Sequence, residues 1–394
     1  MILMKKNDIF YLVGDEFTKP LVNAPYSDIV CDFLNELSLK LLREREYSDI
    51  VSLGFFCRKS NILKLKQSLL DDKRRLGRGM ILHITPGNVP VNFAFSFVFG
   101  LLSGNANIVR VPPNPFAQTK IICDAINTVF ENEKYDRIKQ ATAFVDYPID
   151  NEITAYFSEK CSGRIIWGGD RTIQAIRSIP IMPRGVEVAF ADRYSFCIMN
   201  ADEILKASEE AMKTLAVDFY NDTLFIDQNA CSSPHLVIWQ GKEKAKAKER
   251  FWQFFFEESQ KYTLEPIKAM DKYTMLLEFA IDSDIIDSIQ KYDNLIYCIK
   301  LKKLPENAEN LRGKFGLFYE YDSDDFNEIT PVVTSKFQTV TYFGIDAESF
   351  GQFVIDNALL GIDRIVPVGK ALDIGVIWDG YDIIETLSRI LDVK

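Results

Sequence analysis

The chain has 394 residues, of which 47% are hydrophobic and 26% charged, a balance typical of a globular protein with two or three domains. Its net charge of −10 argues against a long basic groove for nucleic acid. Seven scattered cysteines without a CxxC pair indicate reduced thiols of a cytoplasmic protein, and two histidines give little support to a zinc site. The short apolar start predicts no signal peptide, and no apolar run of about 18 residues predicts a membrane span.

In the first half of the chain, predicted strands alternate with predicted helices. Apolar spacing predicts helices from about residue 27 to 76, and the segment 79–84 follows as a short apolar strand. Further helices are predicted at 91–103, 116–132 and 171–178, and further strands at 107–111, 141–145 and 164–167. This alternation is typical of a doubly wound α/β domain with a parallel sheet.

A second alternation begins near residue 201. It predicts helices at 201–220, 241–260, 346–360 and 381–392, with strands near 235–239 and 295–301. The predicted division is therefore an N-terminal helical region with a dinucleotide-binding domain over 1–200, and a second α/β domain with the C-terminal tail over 201–394. The fold class is α/β, with two doubly wound domains.

The first segment with a candidate catalytic residue is Thr85-Pro86-Gly87-Asn88-Val89-Pro90, between a strand and a long helix. Prolines fix the turn, and the Asn88 amide is able to donate a hydrogen bond to an oxyanion. The alternative is an ordinary turn without a catalytic role.

Two further segments suit an anion. Arg110 ends a strand before Pro112 and Pro113, where a cation at the carboxyl edge of a sheet suits a phosphate, although a surface arginine is the alternative. The Trp167-Gly168-Gly169-Asp170 junction offers backbone N–H groups at a helix start, which suit a pyrophosphate. In the alternative interpretation, Asp170 is simply the N-cap of that helix.

The fourth segment, Asp227-Gln228-Asn229-Ala230-Cys231-Ser232-Ser233-Pro234, surrounds one cysteine with small polar residues. This setting is typical of an accessible thiol, whereas a core cysteine usually has apolar neighbours. A buried and inert thiol is the alternative. His235, four residues after Cys231, is a candidate general base, although a partly buried packing histidine fits the same strand pattern.

Taken in order, the four segments resemble the aldehyde dehydrogenase superfamily. Pro86-x-Asn88-x-Pro90 is similar to its P-x-N-x-P element, and Gly104-Asn105 with Arg110 is similar to its G-N…K-P element. Trp167–Asp170 stands in the place of its Thr-Gly-Ser turn, and Gln228-x-x-Cys231 is similar to its G-Q-x-C element. Within that superfamily, the phrases HITPGNVP, WGGDRTIQAIR, DQNACSSP and GIDRIVPVGKALDIGVIWDGYDIIETLSRIL resemble the LuxC-type acyl-CoA reductases of bacterial bioluminescence. The resemblance runs from about residue 25 to the C-terminus.

The resemblance implies an aldehyde dehydrogenase-like fold and reduction of an acyl thioester to an aldehyde, with Cys231 as nucleophile and Asn88 as oxyanion donor. It assigns cofactor binding to Thr85, Pro86, Arg110, Pro112, Pro113, Gly168, Gly169 and Asp170. It also implies an acyl-protein synthetase or acyl carrier protein as donor, and a homo-oligomer.

The sequence departs from the superfamily in two places. The E-L-G-G segment with its water-activating glutamate is not legible, and Glu187 nearby is out of register, so hydrolysis is disfavoured relative to acyl transfer and reduction. Three residues after Arg110, Pro113 stands where NAD-preferring members carry a glutamate, which favours NADPH and leaves NADH as the alternative. Other open alternatives are an acyl-phosphate reductase, aldehyde oxidation by a hydrolytic aldehyde dehydrogenase, and a non-catalytic acyl-transfer or assembly subunit.

Overall fold

The computed structural model describes residues 8–16, 20–67, 73–87, 89–114 and 116–394. The chain forms two compact units, Met1–Ala191 with Val376–Lys394, and Asp192–Gly375. Each unit is built around a mostly parallel sheet covered by helices, which confirms the prediction of two α/β domains.

The first unit contains a six-stranded sheet in the order β1-β5-β4-β3-β6-β7. Only β1 runs antiparallel to its neighbour. The strands of this unit are β1 (Phe10–Val13), β2 (Arg75–Gly77), β3 (Met80–Ile84), β4 (Ala106–Arg110), β5 (Thr142–Asp146), β6 (Gly163–Trp167), β7 (Val186–Phe190), β15 (Ile377–Trp378), β16 (Tyr381–Asp382) and β17 (Ser388–Ile390). The helices are α1 (Asp28–Leu41), α2 (Ser48–Phe56), α3 (Lys59–Gln67), α4 (Asn92–Leu102), α5 (Ala117–Val129), α6 (Asp136–Lys139), α7 (Asn151–Lys160), α8 (Asp170–Arg177) and α14 (Ile383–Leu387).

The second unit contains a seven-stranded sheet in the order β10-β11-β12-β9-β8-β13-β14, in which only β10 is antiparallel. Its strands are β8 (Tyr194–Asn200), β9 (Pro234–Gln240), β10 (Ile286–Tyr292), β11 (Ile296–Leu301), β12 (Leu317–Asp322), β13 (Phe337–Phe343) and β14 (Arg364–Pro367). Its helices are α9 (Ala201–Lys206), α10 (Glu209–Asp222), α11 (Lys244–Ser259), α12 (Pro266–Asp282) and α13 (Ala347–Asp356). Two apolar clusters pack on opposite faces of this sheet.

The C-terminal tail was wrongly assigned to the second domain and wrongly predicted as one helix over 381–392. Residues 376–394 belong to the first unit, and only Ile383–Leu387 is helical. Strand β17 pairs antiparallel with β2, and the Asn105 amide donates a 2.9 Å hydrogen bond to the Leu387 carbonyl. Buried Ile383, Ile384 and Leu387 anchor α14, so apolar burial and strand pairing together hold the tail in this unit.

Helix α4 shows why the strand–helix alternation of the first unit can be predicted from the sequence. Every residue from Phe93 to Leu102 is buried, and all of them except Ser96 and Gly100 have apolar side chains, as expected for a helix enclosed by the protein interior. Gly104 follows at φ +83°, a left-handed conformation that ends the helix at little cost in a residue without Cβ. This crossover sets β3 and β4 side by side and in parallel. Among the described residues, no helix is both long and apolar enough to cross a membrane.

Candidate active site

The cysteine predicted as nucleophile lies in the turn that leads into β9, the fourth of seven strands in the second sheet. The Ser233 N–H donates to the Ala230 carbonyl over 3.0 Å, which closes the turn around Cys231 and Ser232. All seven cysteines are described; Cys231 is half-buried, and six others are buried, at positions 31, 57, 123, 161, 197 and 298. The thiol most open to a substrate is therefore Cys231.

A hydroxyl from the adjacent strand holds this turn. The Ser195 Oγ donates a 2.6 Å hydrogen bond to the Cys231 carbonyl and accepts one of 3.1 Å from the Thr339 N–H. Strand β8 lies between β9 and β13, so Ser195 connects the cysteine turn to two neighbouring strands. No local pattern in the sequence predicts this contact, because Ser195 precedes Cys231 by 36 residues and the two meet only when β8 pairs with β9.

The start of the same loop is held by a buried amide. Gln228 Oε1 accepts from the Gly316 N–H over 2.8 Å, and Nε2 donates to the Leu317 carbonyl over 3.3 Å. Asp227 and Gln228 both have φ 58°, in the left-handed region that residues with a Cβ seldom adopt. The ion pair of Asp227 with Lys268, 3.0 Å long, and the buried Gln228 amide hold this conformation. The Gln228-x-x-Cys231 motif therefore serves to shape the loop.

His235, the candidate base, is packed into the second unit. Its Nδ1 donates to the Gly313 carbonyl over 2.8 Å, and its ring stacks on Tyr194 at 5.6 Å between centroids. Burial lowers its pKa to about 4, with the positive charge of Arg312 as the second cause. A histidine with so low a pKa is a poor proton acceptor at neutral pH, so these contacts favour the packing role over the role of base.

In the first unit, the predicted cofactor segments meet at one edge of the sheet. Strand β3 lies between β4 and β6, and all three are parallel. The segments that contain Thr85, Arg110 and Gly168 therefore emerge side by side, although 83 residues separate the first from the last. The Thr85 hydroxyl donates a 2.9 Å hydrogen bond to the Arg110 carbonyl and ties two of these segments together.

Arg110 is held by a residue that the sequence analysis did not single out. Its guanidinium carbon lies 4.6 Å from the centroid of the Tyr147 ring, and Nη2 donates to the Tyr147 carbonyl over 3.2 Å. The side chain is half-buried, so it is not the ordinary surface arginine of the alternative interpretation. Pro113, after buried Pro112, packs near Gly87, where an added Cβ would lie 3.2 Å from the proline Cγ.

The two glycines of the Gly168-Gly169 junction have different structural roles. The Gly168 N–H donates to the Phe190 carbonyl over 3.1 Å, so this N–H already has a partner within the protein, and the assignment of Gly168 to the cofactor site stays a prediction. Gly169 is the N-cap of α8, which corrects the alternative that Asp170 caps the helix. A Cβ added to Gly169 would meet no described atom within 4 Å, so open space lies against the start of α8. The first-turn N–H groups of this helix are the donors that suit an anion.

Of two other residues noted in the sequence, Asn88 and Glu187, only Glu187 has a described environment. Asn88 lies outside the described residues, between the described Pro86-Gly87 and Val89-Pro90. Glu187 on β7 accepts from Arg164 over 2.7 Å and from Arg177 over 2.6 Å. Because both carboxylate oxygens serve these ion pairs, Glu187 is poorly suited to activate a water molecule.

The other histidine, His83, belongs to a buried polar network under α4. The Asn107 Nδ2 donates to the Asn105 carbonyl, so its Oδ1 accepts from His83 Nε2 over 2.9 Å. His83 Nδ1 then accepts from the Ser96 hydroxyl over 2.8 Å, and Ser96 accepts from Trp167 Nε1 over 3.1 Å. Burial lowers the pKa of His83 to about 4, so the ring stays neutral and structural.

The chain is similar in sequence to known proteins. The family model described as acyl-CoA reductase (LuxC) matches residues 61–265, just over half of the chain. The long-chain acyl-protein thioester reductase of Aliivibrio fischeri is 23% identical over 312 residues, which cover 74% of this chain and 58% of that protein. For the same-named protein of Vibrio harveyi, the identity is 23%, and the shares are 75% and 60%. The chain thus spans about three fifths of the length of these relatives.

Solved structures match the fold across nearly the whole chain. An NAD-dependent benzaldehyde dehydrogenase from Corynebacterium glutamicum has a TM-score of 0.59 at 13% identity, covering 94% of this chain and 85% of its own. A Thermus thermophilus 1-pyrroline-5-carboxylate dehydrogenase variant has a TM-score of 0.58 at 12% identity, covering 92% and 80%. The fold is therefore aldehyde dehydrogenase-like, as predicted. With the family match across its cysteine loop and cofactor edge, the chain belongs to the acyl-CoA reductase (LuxC) family.

Proposed function

We propose that this protein reduces an activated acyl group, delivered as a thioester, to an aldehyde through a thioester on Cys231. The observation that carries the proposal is the half-buried Cys231 in a turn held by Ser195, inside the segment that matches the acyl-CoA reductase family. A thiolate here attacks the acyl carbonyl; the new C–S bond forms as the C–S bond to the donor breaks, and the donor leaves as a thiolate, which takes a proton from solvent. Asn88 and the Cys231 backbone N–H are the proposed oxyanion donors.

A nicotinamide cofactor fits the edge where β4, β3 and β6 end. The start of α8 offers helix N–H groups next to open space at Gly169, and Arg110 supplies a fixed positive charge on the neighbouring segment. Thr85, Pro86, Pro112, Pro113 and Asp170 shape the same edge. When bound, a reduced nicotinamide would supply the hydride that reduces the acyl group to an aldehyde, with Cys231 released as its thiolate. NADPH is the proposed form, and NADH is the alternative.

Reduction is favoured over aldehyde oxidation by the state of Glu187. This residue lies in the stretch where hydrolytic relatives carry their base, yet its carboxylate is occupied by Arg164 and Arg177. Because Glu187 is engaged in this way, it does not activate water, and the acyl-cysteine persists long enough for hydride transfer. The names of the relatives add support for a long-chain acyl group on a protein donor, such as an acyl-protein synthetase or an acyl carrier protein.

The test is intact-mass spectrometry after mixing the protein with acyl-CoA and acyl carrier protein thioesters of several chain lengths, without NADPH. We expect one added acyl group, mapped to Cys231, and its discharge as aldehyde when NADPH is added. Cys231→Ser should remain unmodified while it still enhances NADPH fluorescence. Acylation of Cys197 or Cys161, or nicotinamide binding without any acylation, would contradict the proposal; the latter outcome favours an assembly subunit.

A further inference from the structure

The first unit has an open cleft of about 220 Å³ at the edge opposite to the proposed cofactor site. Its lining residues precede strands β3, β6 and β7 or belong to β17, and they are Arg78, Ser162, Met182, Arg184, Gly185 and Arg389. The proposed cofactor residues follow β3, β4 and β6. Because these strands are parallel, the cleft and the cofactor edge lie at opposite ends of one sheet.

Three arginines share this cleft without a carboxylate among its lining residues. Within the described part of the chain, Arg78, Arg184 and Arg389 form no ion pair, although acidic residues outnumber basic ones by 56 to 46. By contrast, Arg75 forms an ion pair with Glu385 over 2.6 Å. Uncompensated guanidinium groups of one sign repel each other, and a bound anion relieves that repulsion.

Arg78 is fixed in place. Its Nε donates to the Thr386 carbonyl over 2.7 Å, and its backbone N–H donates to Asn105 Oδ1 over 2.7 Å. Burial lowers its pKa first, and the positive charges of Arg184 and Arg75 lower it further. An arginine held through Nε keeps both terminal nitrogens for bidentate contact with an oxyanion.

We propose that this cleft binds a small polyanion of the pyrophosphate or phosphate-ester class, through Arg78, Arg184 and Arg389. Guanidinium forks match phosphate oxygens, and three of them suit more than one negative charge. A volume of about 220 Å³ equals roughly seven water molecules at about 30 Å³ each, which leaves room for a second phosphate or a small organic group. The Ser162 hydroxyl adds a neutral donor to the same wall.

The probe is inorganic pyrophosphate, titrated calorimetrically into the full chain at low salt. We expect one saturable site, weakened as salt rises, and a loss of at least about tenfold in affinity in the double variant Arg184→Gln/Arg389→Gln. Both side chains are exposed and unpaired, so the thermal midpoint of this variant should not fall. The matched control is Arg43→Gln/Arg45→Gln, which removes two exposed arginines elsewhere in the same unit and should bind as the wild type does.

Three results would overturn the proposal. The first is the absence of saturable binding in the wild type, and the second is equal binding by the two double variants. The third is displacement of pyrophosphate by saturating NADPH, since this would place the anion in the cofactor site. Light scattering measures the oligomeric mass of the wild type and of Arg184→Gln/Arg389→Gln. If the wild type binds no pyrophosphate and the variant differs in mass, the cleft binds an acidic segment of another chain instead.

Discussion

The hydroxyl of Ser195 donates a 2.6 Å hydrogen bond to the carbonyl of Cys231, so a residue of β8 fixes the backbone of the proposed nucleophile. The contact leaves the thiol untouched and acts on the position of its main chain. Ser195 is therefore a positioning residue, whose effect passes through the geometry of the turn.

Ser195→Ala should reduce the rate of Cys231 acylation about 10- to 100-fold, because small displacements of a reacting group cost rate steeply. The expected loss of unfolding free energy is about 2 kcal/mol, because the variant loses two hydrogen bonds, to Cys231 and from Thr339, at about 1 kcal/mol each. The rate is measured by rapid mixing with an acyl thioester and intact-mass detection. Ser259→Ala is the matched control, because buried Ser259 also donates to a carbonyl, that of Phe255, within α11. A similar acylation defect in both variants would mean a general loss of stability instead.

At the proposed cofactor site, Gly169→Asp should separate stability from binding. Aspartate is a good N-cap, so the variant should unfold at the same or a slightly higher temperature. Its carboxylate would compete for the N–H groups of α8 and repel a phosphate, so NADPH affinity should fall about tenfold or more. Affinity is measured by nicotinamide fluorescence. Gly169→Ala is the control and should bind normally, since an added Cβ meets no described atom. Undiminished binding by Gly169→Asp would exclude this helix start from the cofactor site.

Cofactor preference provides a second test of the same edge. Pro113 follows Arg110 by three residues and has no side chain able to bind a ribose hydroxyl or repel a 2′-phosphate. We expect the wild type to prefer NADPH by kcat/KM with one acyl donor, and Pro113→Glu to shift the preference toward NADH. Pro113→Ala is the neutral control for loss of the ring. A wild type that prefers NADH, or an unchanged ratio in Pro113→Glu, would show that this position does not read the 2′ group.

The buried His83 should make the protein sensitive to acid. Its pKa is about 4 in the folded protein and 6.5 in the unfolded chain, so only the unfolded chain binds the proton between these values. The stabilising contribution is complete above pH 6.5 and is lost as pH falls toward 4; at pH 5, the expected loss is about 2 kcal/mol.

Urea unfolding of the wild type and of His83→Gln at pH 7.5 and pH 5 measures this contribution. The variant should be less stable at pH 7.5, since it disturbs the bonds to Ser96 and Asn107, but its stability should fall less on acidification. His235 and the carboxylates titrate in both proteins, so their effects cancel in the comparison. Parallel pH dependence in the two proteins would mean that His83 keeps an ordinary pKa when folded.

The local sequence was enough to locate most elements of the first sheet. Helix α4 is a nearly continuous run of apolar residues, and a turn that contains Gly104 ends it. The apolar run and the glycine that follows it therefore predict the same helix. The short tail helix α14 was less legible. The sequence 381–392 has a helical pattern, but its last residues pair with β2, more than 300 residues earlier in the chain. Strand pairing over that distance leaves no mark in a local window.

By itself, the sequence determined which cysteine to propose as the nucleophile and which segments to propose for the cofactor, since small polar neighbours, glycines and prolines act locally on the backbone. Only the tertiary structure decided which groups surround them. Parallel pairing of β8 with β9 brings Ser195 into contact with Cys231, and packing places the Arg110 guanidinium over the Tyr147 ring. The Gly168 N–H donates a hydrogen bond to the Phe190 carbonyl once the sheet has formed. The three arginines of the cleft also meet only through folding, because Arg389 reaches it through β17 and α14. Such contacts depend on burial and strand register across distant segments, which residue spacing along the chain does not encode.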